Sequence, residues 1–227
     1  MRKIVITGAS EGIGKSIALQ LGRDTANELV LVARSQEKLE TVISEIEALG
    51  GVATYKVCDL GDRAQIKNVV ESIGAIDVLI NNAGVWHKMS QLDEISDETI
   101  EQVLNVNLAG HIFMAKHFLP SLRKSDSAAL INIISKSGVT AQGGQTAYTA
   151  SKWGMKGFTE VLRTDLKDTD IRIGAVYQAG TATGMFSKTG EQMPEEKFTD
   201  PNDLASVISF MLNQPDKIWL NEVHVTY

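Results

Sequence analysis

The stretch KIVITGASEGIG, residues 3–14, joins a short β-branched run to a turn that contains Gly8, Gly12 and Gly14. The run predicts a buried strand, and the residues after the turn have the apolar spacing of a helix. Glycines in this arrangement let the backbone turn tightly, approach a pyrophosphate and pack the following helix, whose first amides face the anion. A glycine-containing turn without a ligand is the alternative. The position between a first strand and a first helix favours a dinucleotide site.

The pairing of strand and helix recurs along the rest of the chain. Apolar or alternating runs predict strands at residues 3–7, 29–33, 53–57, 76–81, 129–135, 171–177 and 222–227. Amphipathic patterns predict helices at residues 13–23, 36–49, 62–73, 97–123, 147–168 and 201–213. This alternation implies βαβ units with right-handed crossovers. We therefore predict an α/β protein with a single-domain Rossmann fold, a doubly wound seven-stranded parallel sheet and helices on both faces.

The domain organisation follows from the same pattern. No repeat, low-complexity tract or linker divides the chain, so residues 1–227 are expected to form one dinucleotide-binding and catalytic domain. The least regular part is the segment 181–199, between the sixth strand and the last helix. Irregular segments of this length in compact domains are often functional, so we expect it to act as a lid over the substrate.

Composition excludes several classes of partner. Lysine plus arginine number 22 and aspartate plus glutamate 28, a formal net charge of −6, and no basic cluster interleaves with aromatics. Nucleic acid and membrane surfaces are therefore not expected as partners, and no apolar run is long enough to span a bilayer. The single cysteine, Cys58, favours a reducing compartment, so a cytoplasmic location is expected. The four histidines and this cysteine lack metal-ligand spacing, so no metal is expected.

The end of the second predicted strand bears on the choice of nucleotide. An NAD site usually has an acidic residue there to hold the ribose 2′-hydroxyl, whereas this chain has Ala33 and then Arg34. A guanidinium can pair with a 2′-phosphate, which favours NADP(H) over NAD(H). A solvated Arg34 is the alternative, and Glu11 in the glycine turn adds a nearby negative charge that opposes the NADP interpretation.

Six motifs in a fixed order give the chain its resemblance to the short-chain dehydrogenase/reductase family. They are TGASEGIG at 7–14, Asp59-Leu60, NNAG at 81–84, Asn107, Ser135 and Tyr148-x-x-x-Lys152. Ser135 precedes Tyr148 by 13 residues and Asn107 precedes it by 41, the spacings expected in the family. The resemblance implies an NAD(P)-dependent oxidoreductase that transfers a hydride between a nicotinamide and a small carbonyl or alcohol substrate.

The resemblance also implies which residues contact the cofactor. Asp59 would bind the adenine amino group, and Asn82, Ala83 and Gly84 would form a backbone shelf beside the ribose; a plain strand-end turn is the alternative for this motif. The full expected set is Gly8, Ser10, Gly12, Ile13, Gly14, Arg34, Asp59, Leu60, Asn82, Ala83, Gly84, Tyr148, Lys152, Gly180 and Thr183.

Carried over to this chain, the catalytic set is Asn107, Ser135, Tyr148 and Lys152. A free tyrosine, with a pKa of about 10, is a weak base near neutrality, so Lys152 one helical turn away is expected to lower the pKa of Tyr148 and to hold the nicotinamide ribose. Ser135 would donate to the substrate oxygen, and Asn107 would bind a proton-relay water. An ordinary helix pair, a strand-end hydroxyl and a solvated asparagine are the alternatives, and Ser137 is a second candidate serine.

The loop at 178–183 departs from the family pattern. It reads QAGTAT, with Ala179 where the family usually has proline and a threonine one residue early, so the cofactor contact is open between Thr181 and Thr183. This departure motivates an alternative function, a catalytically silent dinucleotide-binding sensor or scaffold. The complete catalytic set argues against that alternative.

The substrate and the oligomeric state are less constrained. Candidate substrate-facing residues are His87, Lys88, Lys136, Gln142, Met185 and Phe186. Lys136 suits a carboxylate, although a solvated loop lysine is the commoner outcome, and His87 is expected at the surface. The resemblance implies a homodimer or homotetramer assembled through helices 97–123 and 147–168.

Overall fold

A sheet of seven parallel strands forms the centre of the computed structural model, which describes residues 1–215 and 217–226. The strands are β1 (Arg2–Thr7), β2 (Asn27–Ala33), β3 (Val52–Val57), β4 (Val78–Asn81), β5 (Ala129–Ile133), β6 (Arg172–Gln178) and β7 (Glu222–Val225). They lie in the order β3-β2-β1-β4-β5-β6-β7, and every neighbouring pair is parallel. The predicted fold class is confirmed. Tyr227, the end of the predicted strand 222–227, lies outside the described residues.

The helices begin and end within a few residues of the predicted bounds, apart from one that is interrupted. They are α1 (Gly12–Leu21), α2 (Gln36–Ala48), α3 (Arg63–Ile73), α4 (Asp97–Leu104), α5 (Gly110–Leu122), α6 (Thr146–Asp165) and α7 (Pro201–Leu212). Side chains of Ser35, Asp62 and Asp200 accept hydrogen bonds from first-turn amides and so cap α2, α3 and α7. Within residues 1–215 and 217–226, no helix is long and apolar enough to cross a membrane.

The sheet has an apolar layer on each face. In β1, Ile4 and Ile6 pack in the layer that contains α1, α2 and α7, whereas Val5 packs in the layer that contains α3 and α5. Successive residues of a strand point to opposite faces, so a strand covered on both sides is apolar throughout. All three side chains are fully buried. Each such burial contributes about 1.5–3 kcal/mol.

The predicted helix over 97–123 is helical from Asp97 to Leu122, but it contains a wide turn that the sequence pattern did not indicate. Between α4 and α5 the chain forms a π-helical turn at Asn105–Ala109. Such a turn holds one more residue than an α-helical turn and is often found at functional sites. The helix approaches its neighbour closely here, because a Cβ at Gly110 would lie 2.4 Å from the Leu60 carbonyl oxygen. Within the wide turn Asn107 is fully buried.

The carboxyl ends of β1 and β4 lie at the position where doubly wound sheets bind ligands. β1 pairs with β2 on one side and with β4 on the other, so the strand order reverses between them and leaves a crevice. Buried side chains fix α6 beside this crevice. Asn81 Nδ2 donates to Asn132 Oδ1 at 2.9 Å, and Asn132 Nδ2 donates to Thr159 Oγ1 of α6 at 2.8 Å.

Candidate active site

The glycine turn has the geometry that its sequence predicts. Gly8 and Gly12 have φ of +67° and +54°, in the left-handed region that favours glycine. A Cβ at Gly14 would lie 2.2 Å from the Gly8 carbonyl oxygen, so only glycine lets α1 begin this close to the turn. The first amides of α1 therefore face the crevice, as an anion site requires.

A cavity of about 1150 Å³ extends from this turn to Tyr148. Its volume exceeds the 300–1,000 Å³ or so of a drug-sized ligand pocket, so it has room for a dinucleotide with a small substrate. Of the expected cofactor residues, Gly14 is the one that does not line the cavity. Those that line the cavity are Gly8, Ser10, Gly12, Ile13, Arg34, Asp59, Leu60, Asn82, Ala83, Gly84, Tyr148, Lys152, Gly180 and Thr183.

The charges at the adenosine end differ from the sequence expectation. Arg34 is exposed at the cavity rim, and Lys38 lies beside it. Glu11 accepts hydrogen bonds from Lys38 Nζ at 2.7 Å and from Lys188 Nζ. Partial burial would raise the pKa of Glu11, but the bonds from the two lysines outweigh burial and hold that pKa below its usual value. The carboxylate is therefore compensated and does not oppose a bound phosphate as strongly as its position in the sequence indicates.

The loop 82–85 is held in place by buried polar side chains. The Thr7 hydroxyl accepts from the amides of Asn82 and Ala83 at 2.9 and 3.1 Å. The Asn107 side chain accepts from the Val85 amide at 2.8 Å and donates to the Val85 carbonyl at 2.9 Å. This pairing engages both ends of the Asn107 amide. The side chain thus has a visible role in fixing the loop, and its role toward a relay water stays a prediction.

His111 supports the same loop and was missed by the sequence analysis. Its Nε2 lies 2.7 Å from the Ala83 carbonyl oxygen. Burial, with a further effect from the Lys152 charge, lowers the pKa of His111 to about 3. The ring is therefore neutral and donates from Nε2. Its sequence carries no signal for this contact, because the partner is 28 residues away on another element.

The predicted catalytic side chains come together at the other end of the cavity. Ser135 is a side-chain hydrogen-bonding partner of Tyr148, and Lys152 Nζ lies 5.5 Å from the centre of the Tyr148 ring. Burial raises the pKa of Tyr148 to about 12, against the lowering effect of the Ser135 hydrogen bond. Burial also lowers the pKa of Lys152 to about 8. The direction for Tyr148 is opposite to the one expected from Lys152, because burial is the largest cause of the shift and outweighs the lowering effect of Ser135.

Ser135 has an unusual backbone conformation. The predicted strand 129–135 ends at Ile133, and Ser135 lies beyond it with φ 129° and ψ 156°. Residues other than glycine rarely adopt this backbone conformation. It costs about 1–3 kcal/mol and occurs most often at active sites. Ser137, the second candidate, donates instead to Gln145 Oε1 at 3.2 Å. Ser135 is therefore the serine directed at Tyr148.

The loop after β6 separates the two candidate threonines. Thr181 is buried, and its hydroxyl donates to the Ala179 carbonyl at 3.3 Å. Thr183 lies against the glycine turn, because a Cβ at Gly12 would be 3.1 Å from its Cβ. This geometry favours Thr183 as the threonine next to the cofactor cleft.

The substrate side contains both expected and unexpected residues. Of the six substrate-facing candidates, those that line the cavity are Lys136, Gln142, Met185 and Phe186. The expectation that His87 lies at the surface is wrong: it is buried, and its Nε2 accepts from the Tyr148 amide at 3.4 Å. Trp86 and Glu191 also belong to this region and were not anticipated. Their contact joins residues 105 positions apart, which sequence spacing cannot indicate.

Fold and site together define a dinucleotide-binding α/β protein with a serine, a tyrosine and a lysine beside the cofactor cleft. The family model described as short chain dehydrogenase matches residues 2–194, and the chain belongs to this family of oxidoreductases. A 3-oxoacyl-(acyl-carrier-protein) reductase of Thermotoga maritima is 34% identical over 219 residues, 91% of this chain and 88% of the relative. An oxidoreductase of Listeria monocytogenes is 32% identical over 236 residues, 98% of this chain and 94% of the relative.

Solved structures agree with this assignment. An alcohol dehydrogenase of the archaeon Thermococcus sibiricus, complexed with 5-hydroxy-NADP, superimposes with a TM-score of 0.89 at 27% identity and covers 99% of this chain and 96% of its own. A metagenomic short-chain oxidoreductase in complex with NADP superimposes with a TM-score of 0.86 at 31% identity. That alignment covers 100% of this chain and 97% of the other.

Proposed function

We propose that this oxidoreductase transfers a hydride between NADP(H) and a small carbonyl or alcohol, with Tyr148 as the acid and base. One observation carries the proposal. The partly buried Ser135, the buried Tyr148 and Lys152, and the glycine turn all line one cavity of about 1150 Å³. A cofactor held at the turn therefore extends to the residues that handle the substrate oxygen.

The residues present fit a dinucleotide. Gly8, Gly12 and Gly14 form a cradle that any Cβ would obstruct, and the first amides of α1 would hold the pyrophosphate. Arg34 and Lys38 lie where a 2′-phosphate would be, and the pairing of Glu11 with lysines reduces repulsion there. The two NADP-type complexes among the structural relatives support NADP(H) over NAD(H).

Proton handling falls to the protein. When bound, the nicotinamide supplies or accepts the hydride. In the reductive direction the Tyr148 hydroxyl gives its proton to the substrate carbonyl oxygen, and Ser135 donates a second hydrogen bond to that oxygen. The raised pKa of Tyr148 keeps the phenol protonated and ready for reduction at neutral pH. The Lys152 ammonium stabilises the phenolate that remains and would hold the nicotinamide ribose.

The rigidity of the loop 82–85 also supports this function. Thr7, Asn107 and His111 are each nearly inaccessible, and they fix the backbone that would face the cofactor ribose. A pre-organised surface of this kind lowers the cost of positioning. A catalytically silent sensor or scaffold is not favoured, because such a protein has no need for a strained Ser135 hydrogen-bonded to a buried tyrosine.

The decisive experiment follows NADPH absorbance with a panel of aldehydes, ketones and 3-oxo esters. Tyr148→Phe should abolish turnover and leave the NADPH dissociation constant within about twofold, because the ring remains and only the proton donor is lost. Tyr55→Phe is a matched control: its exposed hydroxyl bonds Glu40, away from the cavity. Full activity in Tyr148→Phe, or tight NADPH binding with no oxidation by any carbonyl, would refute the proposal.

Assembly and location are also proposals. Trp153 and Val161 on α6 are 47% and 60% exposed, and their apolar surface supports packing of α6 against a second copy in a homodimer or homotetramer. Light scattering after gel filtration measures the mass. The single cysteine, Cys58, is free and buried, which supports a cytoplasmic location, and cell fractionation tests it.

A further inference from the structure

Trp86 forms the wall of the cavity beside Tyr148. The two ring centres are 4.7 Å apart with an interplanar angle of 68°, an edge-to-face contact. Phe186 also packs against the indole, with ring centres 5.0 Å apart and an interplanar angle of 78°. Trp86 is only 8% exposed, so its ring orientation is set by these neighbours. Whatever is bound next to the Tyr148 hydroxyl therefore meets this aromatic wall.

Glu191 holds the Trp86 indole in place through a hydrogen bond. Its carboxylate accepts from the indole Nε1 of Trp86, and its second oxygen accepts from the Met89 amide at 2.9 Å. Hydrogen bonds to a carboxylate are about twice as strong as neutral ones. Glu191 belongs to the 181–199 segment, so one side chain both orients Trp86 and ties that segment to the wall.

The surroundings of this contact are mostly apolar. Met185 and Phe186 pack with Trp86 and Tyr148, and Phe186 also contacts Phe198. The His87 ring stacks on the indole at 5.8 Å. Lys136 also lines the cavity, but it is exposed to solvent. Burying a charged or strongly polar substituent against such a wall is costly, whereas an aromatic ring gains edge-to-face and dispersion contacts.

We propose that Glu191 determines substrate preference: by fixing the Trp86 indole beside Tyr148, it makes the site select carbonyl compounds with an aromatic substituent over small aliphatic ones. This inference rests on the proposed function, because it assumes that the substrate oxygen lies at Tyr148. Glu191 acts through Trp86 and is a positioning residue. Its removal should loosen both the indole and the 181–199 segment.

The first test compares benzaldehyde with acetaldehyde in the NADPH assay. The wild-type protein should show at least a tenfold higher kcat/KM for benzaldehyde, and Glu191→Ala should reduce that ratio at least tenfold, mainly through KM. Glu191→Gln keeps the shape and should lie between them. Trp86→Phe keeps a ring without the N–H. The double variant with Glu191→Ala should reduce the kcat/KM ratio by less than the product of the two single reductions, because both substitutions act on one contact. Glu196→Gln, an exposed position in the same segment, is the matched control.

Two further measurements need no turnover. Saturation-transfer NMR should give benzyl alcohol at least a tenfold lower dissociation constant than 1-propanol for the wild type, and Glu191→Ala should remove the difference. Trypsin should cleave after Lys188 or Lys197 several-fold faster in Glu191→Ala than in the wild type or Glu196→Gln. Equal preference in the wild type and Glu191→Ala, or no aromatic preference in the wild type, overturns the inference. If the protein prefers the aromatic alcohol in binding but oxidises no NADPH with any carbonyl, the proposed function is refuted instead.

Discussion

Replacing His111 with glutamine should make the protein less sensitive to acid. Burial, with a smaller effect of Lys152, lowers the pKa of His111 from 6.5 to about 3, against the opposing effect of its hydrogen bond to Ala83. The unfolded chain therefore binds a proton between pH 6.5 and 3 that the folded protein does not. This stability is fully present above pH 6.5 and is lost progressively as the pH falls toward 3.

The magnitude follows from the size of this shift. A pH of 5 is about 1.5 units below the pKa of histidine in the unfolded chain, and each unit corresponds to about 1.4 kcal/mol. The free energy of unfolding at pH 5 is therefore about 2 kcal/mol lower than at neutral pH. Glutamine has no such titration, and its Nε2 can still donate to the Ala83 carbonyl. The pH-dependent loss should therefore be about 2 kcal/mol smaller in His111→Gln.

Urea unfolding at pH 7.5 and pH 5.0 measures the difference directly. The wild type, His111→Gln and His117→Gln are compared, the last being a histidine replacement on the same helix, α5. Each variant is compared with itself at the two pH values, so any constant cost of the substitution cancels. If the wild type and His111→Gln lose the same free energy of unfolding on acidification, the assignment of a buried neutral His111 is refuted.

Other outcomes follow from the cofactor cleft. Gly14→Ala should abolish NADPH binding in calorimetry, because its methyl group would lie 2.2 Å from the Gly8 carbonyl oxygen; Gly157→Ala, where a Cβ meets nothing within 4 Å, should bind normally. Arg34→Ala should weaken NADPH at least tenfold and NADH less than twofold, and equal losses would contradict the 2′-phosphate contact. Carbonyl reduction should slow as the pH rises through about 8, because burial lowers the pKa of Lys152 to that value and the ammonium is then lost. A rate that is flat to pH 9.5 would count against this role.

Much of the fold was predictable because it depends on local patterns. Ile4, Val5 and Ile6 make the strand apolar on both faces, and the glycine turn follows directly. Residues 3–14 therefore contain enough local pattern to predict the strand, the turn and the start of the helix. The wide turn at Asn105–Ala109 was not predictable in this way. It lies beside a close approach of Gly110 to Leu60, a contact between distant parts of the chain that no local pattern indicates.

The candidate site likewise contains residues that local motifs predict and residues that only long-range contacts reveal. Ser135, Tyr148 and Lys152 were identified because family motifs preserve residue type and spacing, and the fold brings them together at one end of the cavity. The roles of Glu191 and His111 were invisible. Glutamate in an irregular segment and histidine within a helix are ordinary residues until a partner 105 or 28 positions away becomes their neighbour.

The class of fold, the glycine turn and the candidate residues around Tyr148 follow from the sequence alone, because each depends on residue types at regular spacings. The charge states of those groups depend on the tertiary structure. Burial raises the pKa of Tyr148 to about 12 and lowers that of Lys152 to about 8, and the pairing of Glu11 with Lys38 and Lys188 cancels a charge that the sequence leaves unopposed. Desolvation and long-range ion pairing depend on which surfaces meet, and that is settled by packing rather than by local pattern.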